Sequence, residues 1–263
     1  MSWYDAAFAR HYPVLYGHRD NAEAELWINN LARLVPLGQG PVLDLGCGEG
    51  RHLVHLSGDE IWAVGLDRSA ELLQNARRRR DQASQPFGLV RGDMRAQPFA
   101  AESFTAVLSL FTAFGYFGDL AEHQGILAEV ARVLVSGGHW VLDYLNCDAV
   151  RRELAGGPDV RDFEREPFLV REERRLHDDS LQVRKAVTLQ PLPGFEARAA
   201  DLGVPLAGLH YEERVVLFER KEMVALAAGQ GLVQVASAGD YDLAPLNETS
   251  ARWVFVFRRG AGA

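Results

Sequence analysis

Cysteine is scarce in this sequence: Cys47 and Cys147 are the two present in 263 residues, far apart and forming no Cys-x-x-Cys pair. A disulfide framework is therefore not expected, and neither is a zinc site of the usual ligand spacing. Long apolar runs are missing too. No stretch approaches the roughly 18 uninterrupted apolar residues of a membrane span, and the aromatic, mixed-charge opening residues lack the apolar core of a secretory signal. No membrane partner is expected, and the cytoplasm is the default compartment. Positive charge is also in deficit, with 28 Lys and Arg against 36 Asp and Glu, a net charge of −8. A nucleic-acid partner is not expected, because phosphate binding needs a basic face. The one basic cluster, Arg77 to Arg80, follows a helical pattern and precedes a Gln/Ser/Pro loop. It reads as a solvated helix end favoured by the helix dipole.

What is present is an ordinary globular composition, 48% hydrophobic and 24% charged, sufficient for a sizeable core. The length suits a doubly wound α/β domain carrying an inserted subdomain. Residues 1–17 are rich in aromatics (Trp3, Tyr4, Phe8, Tyr12, Tyr16), and a helix is expected from about Asp20 to Leu34. A strand at 41–45 then runs into Gly46-Cys47-Gly48-Glu49-Gly50. Further strands are expected at 61–66, 87–90, 104–110 and 139–145. Helices are expected between them, near 51–57, at 69–80 with Ser69 as N-cap, and at 120–134, the last closed by Ser136-Gly137-Gly138. This alternation predicts a parallel sheet covered on both faces. Residues 160–217 change texture to alternating apolar and charged positions, which predicts half-exposed antiparallel strands with a hairpin turn at Asp178-Asp179-Ser180 and, at 191–208, a loop or an interrupted strand connection. A helix at 220–229 and strands at 232–236 and 251–257 complete the α/β core. The domain plan is a lid at 1–36, an α/β domain from 37–149 and 218–260, and an antiparallel insert at 150–217. The insert's exposed strands offer edges through which a homodimer can pair.

The chemistry is expected at the carboxyl ends of the parallel strands, where open sheets bind ligands. Gly46 and Gly48 allow a sharp turn and close approach to main-chain N–H groups. The spacing Gly-x-Gly-x-Gly is one residue shorter than the dinucleotide fingerprint. Asp44 precedes the loop; a carboxylate there repels a diphosphate and welcomes a cation such as a sulfonium bearing an ammonium group. Asp67 closes the second strand, positioned to accept from both hydroxyls of a ribose. Arg68 and Ser69 follow, either flanking an adenine or capping the helix. Asp93 ends the third strand, placed to accept from an adenine amino group, with Met94 packing on the ring. The fourth strand leads into Phe111-Thr112-Ala113-Phe114-Gly115-Tyr116-Phe117, whose aromatics read as a wall that stabilises a cation. The N-terminal aromatics read as a lid over it.

These segments, VLDLGCGEGRH (42–52), VGLDRS (64–69), GDMR (92–95), FTAVLSLFTAFGYF (104–117) and ILAEVARVLVSGGHWVLDYLN (126–146), resemble the class I S-adenosylmethionine-dependent methyltransferases. The layout is similar to the amino-sugar N-methyltransferases of the desosamine type, including the run HYEERVVLFERKEMVALAAGQGLVQVAS (210–237). The resemblance implies a Rossmann-like sheet of order 3-2-1-4-5-7-6 with strand 7 antiparallel, and S-adenosylmethionine as cofactor. It implies that the loop of Asp44, Gly46, Cys47 and Gly48 contacts the methionine part, Asp67 the ribose, and Asp93 with Met94 the adenine. Leu110 would offer its backbone carbonyl to the methionine amino group. Tyr12 and Tyr16 match aromatic positions that approach cofactor or substrate.

Methyl transfer is an in-line displacement at an already activated carbon, so alignment and exclusion of water are the main requirements. A base helps an oxygen acceptor, whereas an amine need only arrive deprotonated. Candidate bases are Tyr12, Tyr16, His18, His123 and His210. His52 and His55 sit three apart with no third ligand nearby, so no metal is expected. The acceptor is expected to be a small molecule, an amine before an oxygen nucleophile. Rival readings are a non-catalytic binding protein, an NAD(P)-dependent oxidoreductase, which the short glycine spacing and Asp44 oppose, and an aminopropyl transferase.

Overall fold

The structure, a computed structural model, describes residues 3–17, 21–56, 61–177 and 181–260. In chain order the elements begin with helices α1 (Trp3–Ala7), α2 (Tyr12–Tyr16) and α3 (Asn21–Leu31). Next come β1 (Val42–Leu45), α4 (Leu53–Leu56), β2 (Ala63–Asp67), α5 (Ala70–Ala83), β3 (Phe87–Arg91) and β4 (Phe104–Ser109). They are followed by α6 (Leu120–Val133), β5 (Leu134–Leu145), α7 (Cys147–Leu154), β6 (Asp159–Arg165), β7 (Phe168–Leu176) and β8 (Gln182–Pro191). Last are α8 (Glu196–Asp201), β9 (Leu209–Val216), α9 (Arg220–Ala228), β10 (Leu232–Ala238) and β11 (Arg252–Arg259).

The chain divides into two compact units, Asp20–Ala149 with Phe218–Ala263, and Met1–Arg19 with Val150–Leu217. The first carries a seven-stranded sheet in the order β3-β2-β1-β4-β5-β11-β10. β3, β2, β1, β4 and β5 are parallel, while β11 runs antiparallel to β5 and β10. Counted within this sheet, that is the expected 3-2-1-4-5-7-6 Rossmann-like order with the seventh strand reversed. β1 is buried along its whole length, as a strand covered on both faces must be. Trp27, Leu31, Val42, Leu53, Leu108 and Val256 lie in its core. Ser69 caps α5, its side chain accepting from the Leu72 N–H at 3.2 Å.

The second unit carries an antiparallel sheet in the order β6-β7-β8-β9. Phe168, Val170, Val187, Leu189 and Tyr211 from this sheet share a core with Ala7, Leu15, Ala199 and Val204. The expected hairpin turn at Asp178-Asp179-Ser180 and the candidate base His18 lie outside the described residues.

Two local expectations are corrected. Ser136-Gly137-Gly138 does not stop α6; that helix ends at Val133 and passes directly into β5. The glycines lie inside the strand, where the β4–β5 register shifts, because a Cβ on Gly138 would fall 2.9 Å from the Val135 carbonyl oxygen. The stretch 191–208 is not all loop, since it contains α8, which buries Ala199.

Candidate cofactor site

β1 delivers the chain into a loop that only glycine accommodates easily. Gly46, Gly48 and Gly50 have φ of +84°, +54° and +72°. The N–H groups of Gly46 and Cys47 both donate to the Leu66 carbonyl, at 2.8 and 3.1 Å, tying the loop to β2. A Cβ on Gly46 would meet the Ala113 Cβ at 2.8 Å, so the turn after β4 rests directly on this glycine. At Gly48 an added Cβ would meet Leu72 Cδ1 alone, at 3.9 Å. Cys47 turns the other way: a Cβ on Gly65 would fall 2.6 Å from its sulfur, so the thiol packs over β2. Burial pushes that thiol well above its usual range. Side chain and N–H of Cys47 are thus both engaged within the protein.

Two acids frame the loop. Asp44 is 1% exposed, and its Oδ2 has no hydrogen-bond partner among the described residues. Burial, then the neighbouring Asp67 charge, pushes its pKa up to about 7, with Arg51 opposing. Asp67 Oδ2 accepts from the Gly48 N–H and Oδ1 from the Ser69 N–H, both at 2.8 Å. Burial raises this group, and those backbone donors oppose it. A carboxylate has about four acceptor sites, and the backbone N–H groups of Gly48, Ser69 and Arg68 bear on three of them.

Asp93 is engaged differently. Its Oδ1 accepts from Arg95 Nε at 3.0 Å and its Oδ2 from Nη2 at 2.7 Å, with Arg68 Nη1 3.5 Å from Oδ2. The Arg95 hydrogen bonds hold its pKa below the usual carboxylate range. The Met94 Cε lies 3.7 Å from where a Gly46 Cβ would be, placing this side chain over the glycine loop. Leu110 is buried, and its carbonyl already accepts from the Ala113 N–H at 3.2 Å.

Sequence reasoning missed the group that holds the β4 turn. Phe111 and Thr112 both adopt left-handed backbone, φ +57° and +60°, which costs roughly 1–2 kcal/mol per non-glycine residue. Asp143, fully buried in β5, holds them there. Its Oδ2 accepts from the Phe111 N–H at 2.7 Å and the Tyr241 hydroxyl at 2.8 Å, and its main-chain carbonyl from the Thr112 N–H at 3.0 Å. Arg252 Nε donates to Asp143 Oδ1 and its Nη2 to Thr112 Oγ1, both at 2.7 Å. The signal was an aspartate inside the apolar run Trp140-Val141-Leu142-Asp143-Tyr144-Leu145.

The aromatics after β4 face the protein's own groups. The Phe111 ring lies 5.3 Å from the Arg51 guanidinium and 5.5 Å from that of Arg252. Arg95 covers Phe117 at 4.6 Å. Phe114 is buried against Trp140, Tyr144, Phe218 and His123. His123 itself is 1% exposed; its Nδ1 lies 3.0 Å from the Asp119 carbonyl, and burial lowers its pKa. It is therefore held neutral. Tyr12 and Tyr16 belong to the other unit, on α2. There the Tyr16 hydroxyl donates to Glu213 Oε1 at 3.0 Å and accepts from Lys185 Nζ. Burial, then Glu213, raises its pKa well above the usual tyrosine value. His210 is exposed beside Thr188.

Residues 42–138 match a methyltransferase domain family. Over 163 residues the chain is 30% identical to a dTDP-3-amino-3,4,6-trideoxy-α-D-glucopyranose N,N-dimethyltransferase of Streptomyces venezuelae, covering 57% of this chain and 67% of that relative. It is 34% identical to a dTDP-3-amino-3,6-dideoxy-α-D-glucopyranose N,N-dimethyltransferase of Streptomyces fradiae over 39% of this chain and 38% of the relative. Among solved structures, an S-adenosylmethionine-dependent methyltransferase from Clostridium acetobutylicum superposes with a TM-score of 0.78 at 15% identity, covering 95% of this chain and 96% of that one. At that identity the match speaks for the fold. The glycine loop, the paired buried acids and these similarities agree: the chain belongs to the class I S-adenosylmethionine-dependent methyltransferases.

Proposed function

We propose that the protein methylates an amine nitrogen of a small polar acceptor, an amino sugar being the first class to test, and that Asp44, Gly46, Gly48, Asp67, Met94 and Leu110 hold the donor. The carrying observation is Asp44, a fully buried carboxyl whose Oδ2 has no hydrogen-bond partner among the described residues, beside Asp67 and a glycine loop. A buried acid without a cation is costly, and an ammonium group in reach relieves that cost. The acceptor capacity that Asp67 keeps beyond its backbone donors suits a ribose hydroxyl. S-adenosylmethionine, when bound, supplies a methyl group already activated on a sulfonium.

What remains for the chain is to orient donor and acceptor and to keep water out. No protein base is assigned, in keeping with an amine that arrives deprotonated. Tyr16 is held protonated and His123 is enclosed in aromatic rings, so neither suits proton removal. Arg68 and Asp93, engaged with each other and with Arg95, are assigned to the adenine end as its polar rim. Tyr12 is assigned to the acceptor's approach, as its family position implies. The amine is favoured over an oxygen acceptor because the curated relatives named above are N,N-dimethyltransferases. No described helix is long and apolar enough to cross a membrane; a cytoplasmic site of action suits two buried cysteines that are not joined in a disulfide.

Calorimetric titration with S-adenosylmethionine and S-adenosylhomocysteine, with NAD and NADP as controls, tests the donor. Micromolar binding of the first two is expected. Mass spectrometry of a nucleotide-linked amino sugar incubated with enzyme and donor tests the acceptor, with one or two added methyl groups expected. Methylation confined to hydroxyl compounds would overturn the amine assignment.

A further inference from the structure

We infer that Asp143, Arg252 and Tyr241 are positioning residues that set affinity for the cofactor by holding the Leu110–Ala113 turn in its binding conformation. The inference rests on the reading that this turn lines the cofactor site.

The geometry gives the turn little support of its own. Two consecutive non-glycine residues, Phe111 and Thr112, sit in left-handed backbone. Hydrogen bonds to Asp143 engage the N–H groups of both, one through the carboxylate and one through the main-chain carbonyl. The Arg252 guanidinium clamps the carboxylate and the Thr112 hydroxyl together. Tyr241 adds a third donor to the Asp143 carboxylate, beside the Phe111 N–H and the Arg252 guanidinium. It is held in turn by its ring stacked on Trp27 at 4.7 Å and by Asn30 Nδ2 donating to its carbonyl at 2.8 Å.

On the loop side, Ala113 presses on Gly46, and Leu110 is the residue whose carbonyl the family resemblance assigns to the methionine amino group. A turn that relaxed toward ordinary backbone would move both. Only the fraction of molecules with the turn in place would then bind, and the apparent dissociation constant would rise by the reciprocal of that fraction. The group thus bears on affinity without touching the ligand.

The test is titration of the full chain with S-adenosylhomocysteine, alongside thermal unfolding without ligand, for the unmodified protein and four variants. Tyr241→Phe keeps the ring on Trp27 and removes one donor; its dissociation constant is expected to rise about threefold to tenfold, the range of one hydrogen bond. Asp143→Asn is expected to weaken binding further. The deciding variants add Thr112→Gly to each of these backgrounds. Glycine adopts left-handed backbone without steric penalty, so part of the lost affinity should return even though the Thr112 hydroxyl's bond to Arg252 is lost as well. A merely structural role would lower the melting temperature and leave affinity where it was. Wild-type affinity in folded Tyr241→Phe, or no recovery on adding glycine, overturns the inference. Should Asp143→Asn fail to fold, Tyr241→Phe with and without Thr112→Gly decides the matter. Failure of the unmodified protein to bind would take down the cofactor-site reading as well, and the two failures are thereby told apart.

Discussion

In the unit built on the parallel sheet, Asp44 is buried next to Asp67, and its Oδ2 has no hydrogen-bond partner among the described residues. In the unit built on the antiparallel sheet, Glu172 and Glu213 are also largely buried, but Lys185 stands between them, 3.0 and 3.5 Å away, against the face of Tyr16. The strand pairing sets Lys185 directly opposite Glu213. The first unit pairs its buried Asp143 with Arg252 but leaves Asp44 and Asp67 short of positive charge; the second supplies the cation to its glutamates itself. The difference separates a site that waits for a cationic ligand from a polar patch completed internally. Tyr211, whose buried hydroxyl has no hydrogen-bond partner among the described residues, is an exception in the second unit. It is a neutral group, and its cost is smaller.

The sharpest way to break this comparison is Asp67→Ala. The carboxylate holds the Gly48 N–H and offers its remaining positions to the ligand, so its loss should weaken S-adenosylmethionine binding by roughly 1–3 kcal/mol, about 5-fold to 150-fold. Calorimetric titration reads this directly. Unchanged affinity in a folded variant would mean that the ribose lies elsewhere.

Lys185→Met tests the other side. Removing the cation leaves Glu172 and Glu213 facing each other, and a fully buried pair broken in this way costs about 3–5 kcal/mol. These side chains retain 16–19% exposure, so water softens the loss to about 2 kcal/mol. The effect should appear in denaturant unfolding while S-adenosylhomocysteine affinity stays within about twofold. A large loss of cofactor affinity with unchanged stability would erase the distinction between the units.

Much of the first unit was legible because a parallel sheet gathers its ligand contacts from residues directly after strands. Asp44 to Gly50, Asp67 and Asp93-Met94 each form a short contiguous signal. The strand order follows from the same alternation together with the family resemblance. Asp143, Tyr241 and Arg252 were not legible as a group. They lie 98 and 109 positions apart and meet only once β11 pairs with β5 and the segment before it folds back. The glycines 137 and 138 misled because a helix stop and a strand irregularity use the same residue. In the insert, alternation announced strands without register, so nothing in the sequence said that Lys185 would lie between two glutamates. Asp93 shows a further limit: its place at a strand end was read correctly, while its pairing with Arg95, two residues on, was not foreseen.

The smallest effect, and the one that bears most directly on Asp44, is in the pH dependence of binding. In the ligand-free protein the carboxyl titrates at about 7 against an unperturbed 3.8, with burial the main cause and the Asp67 charge the second. The folded state therefore holds this proton more tightly than the unfolded chain does. By linkage, Asp44 lowers stability as pH rises from about 4 to about 7, and the penalty is complete above that. Binding of an ammonium group acts in the opposite sense, since it favours the ionised carboxyl. Affinity for S-adenosylhomocysteine should thus rise about fivefold between pH 6 and about 7.4, then decline at the higher pH where the ligand's α-ammonium group loses its own proton. At pH 7 about half a proton should be released on binding, measurable from the dependence of the calorimetric enthalpy on buffer ionisation. Asp44→Asn should abolish the rising limb, keep the falling one, and raise the melting temperature of the ligand-free protein at pH 8. A rising limb that survives in Asp44→Asn would assign the titration to another group. It would also remove the reason for calling the first unit the one left short of a cation.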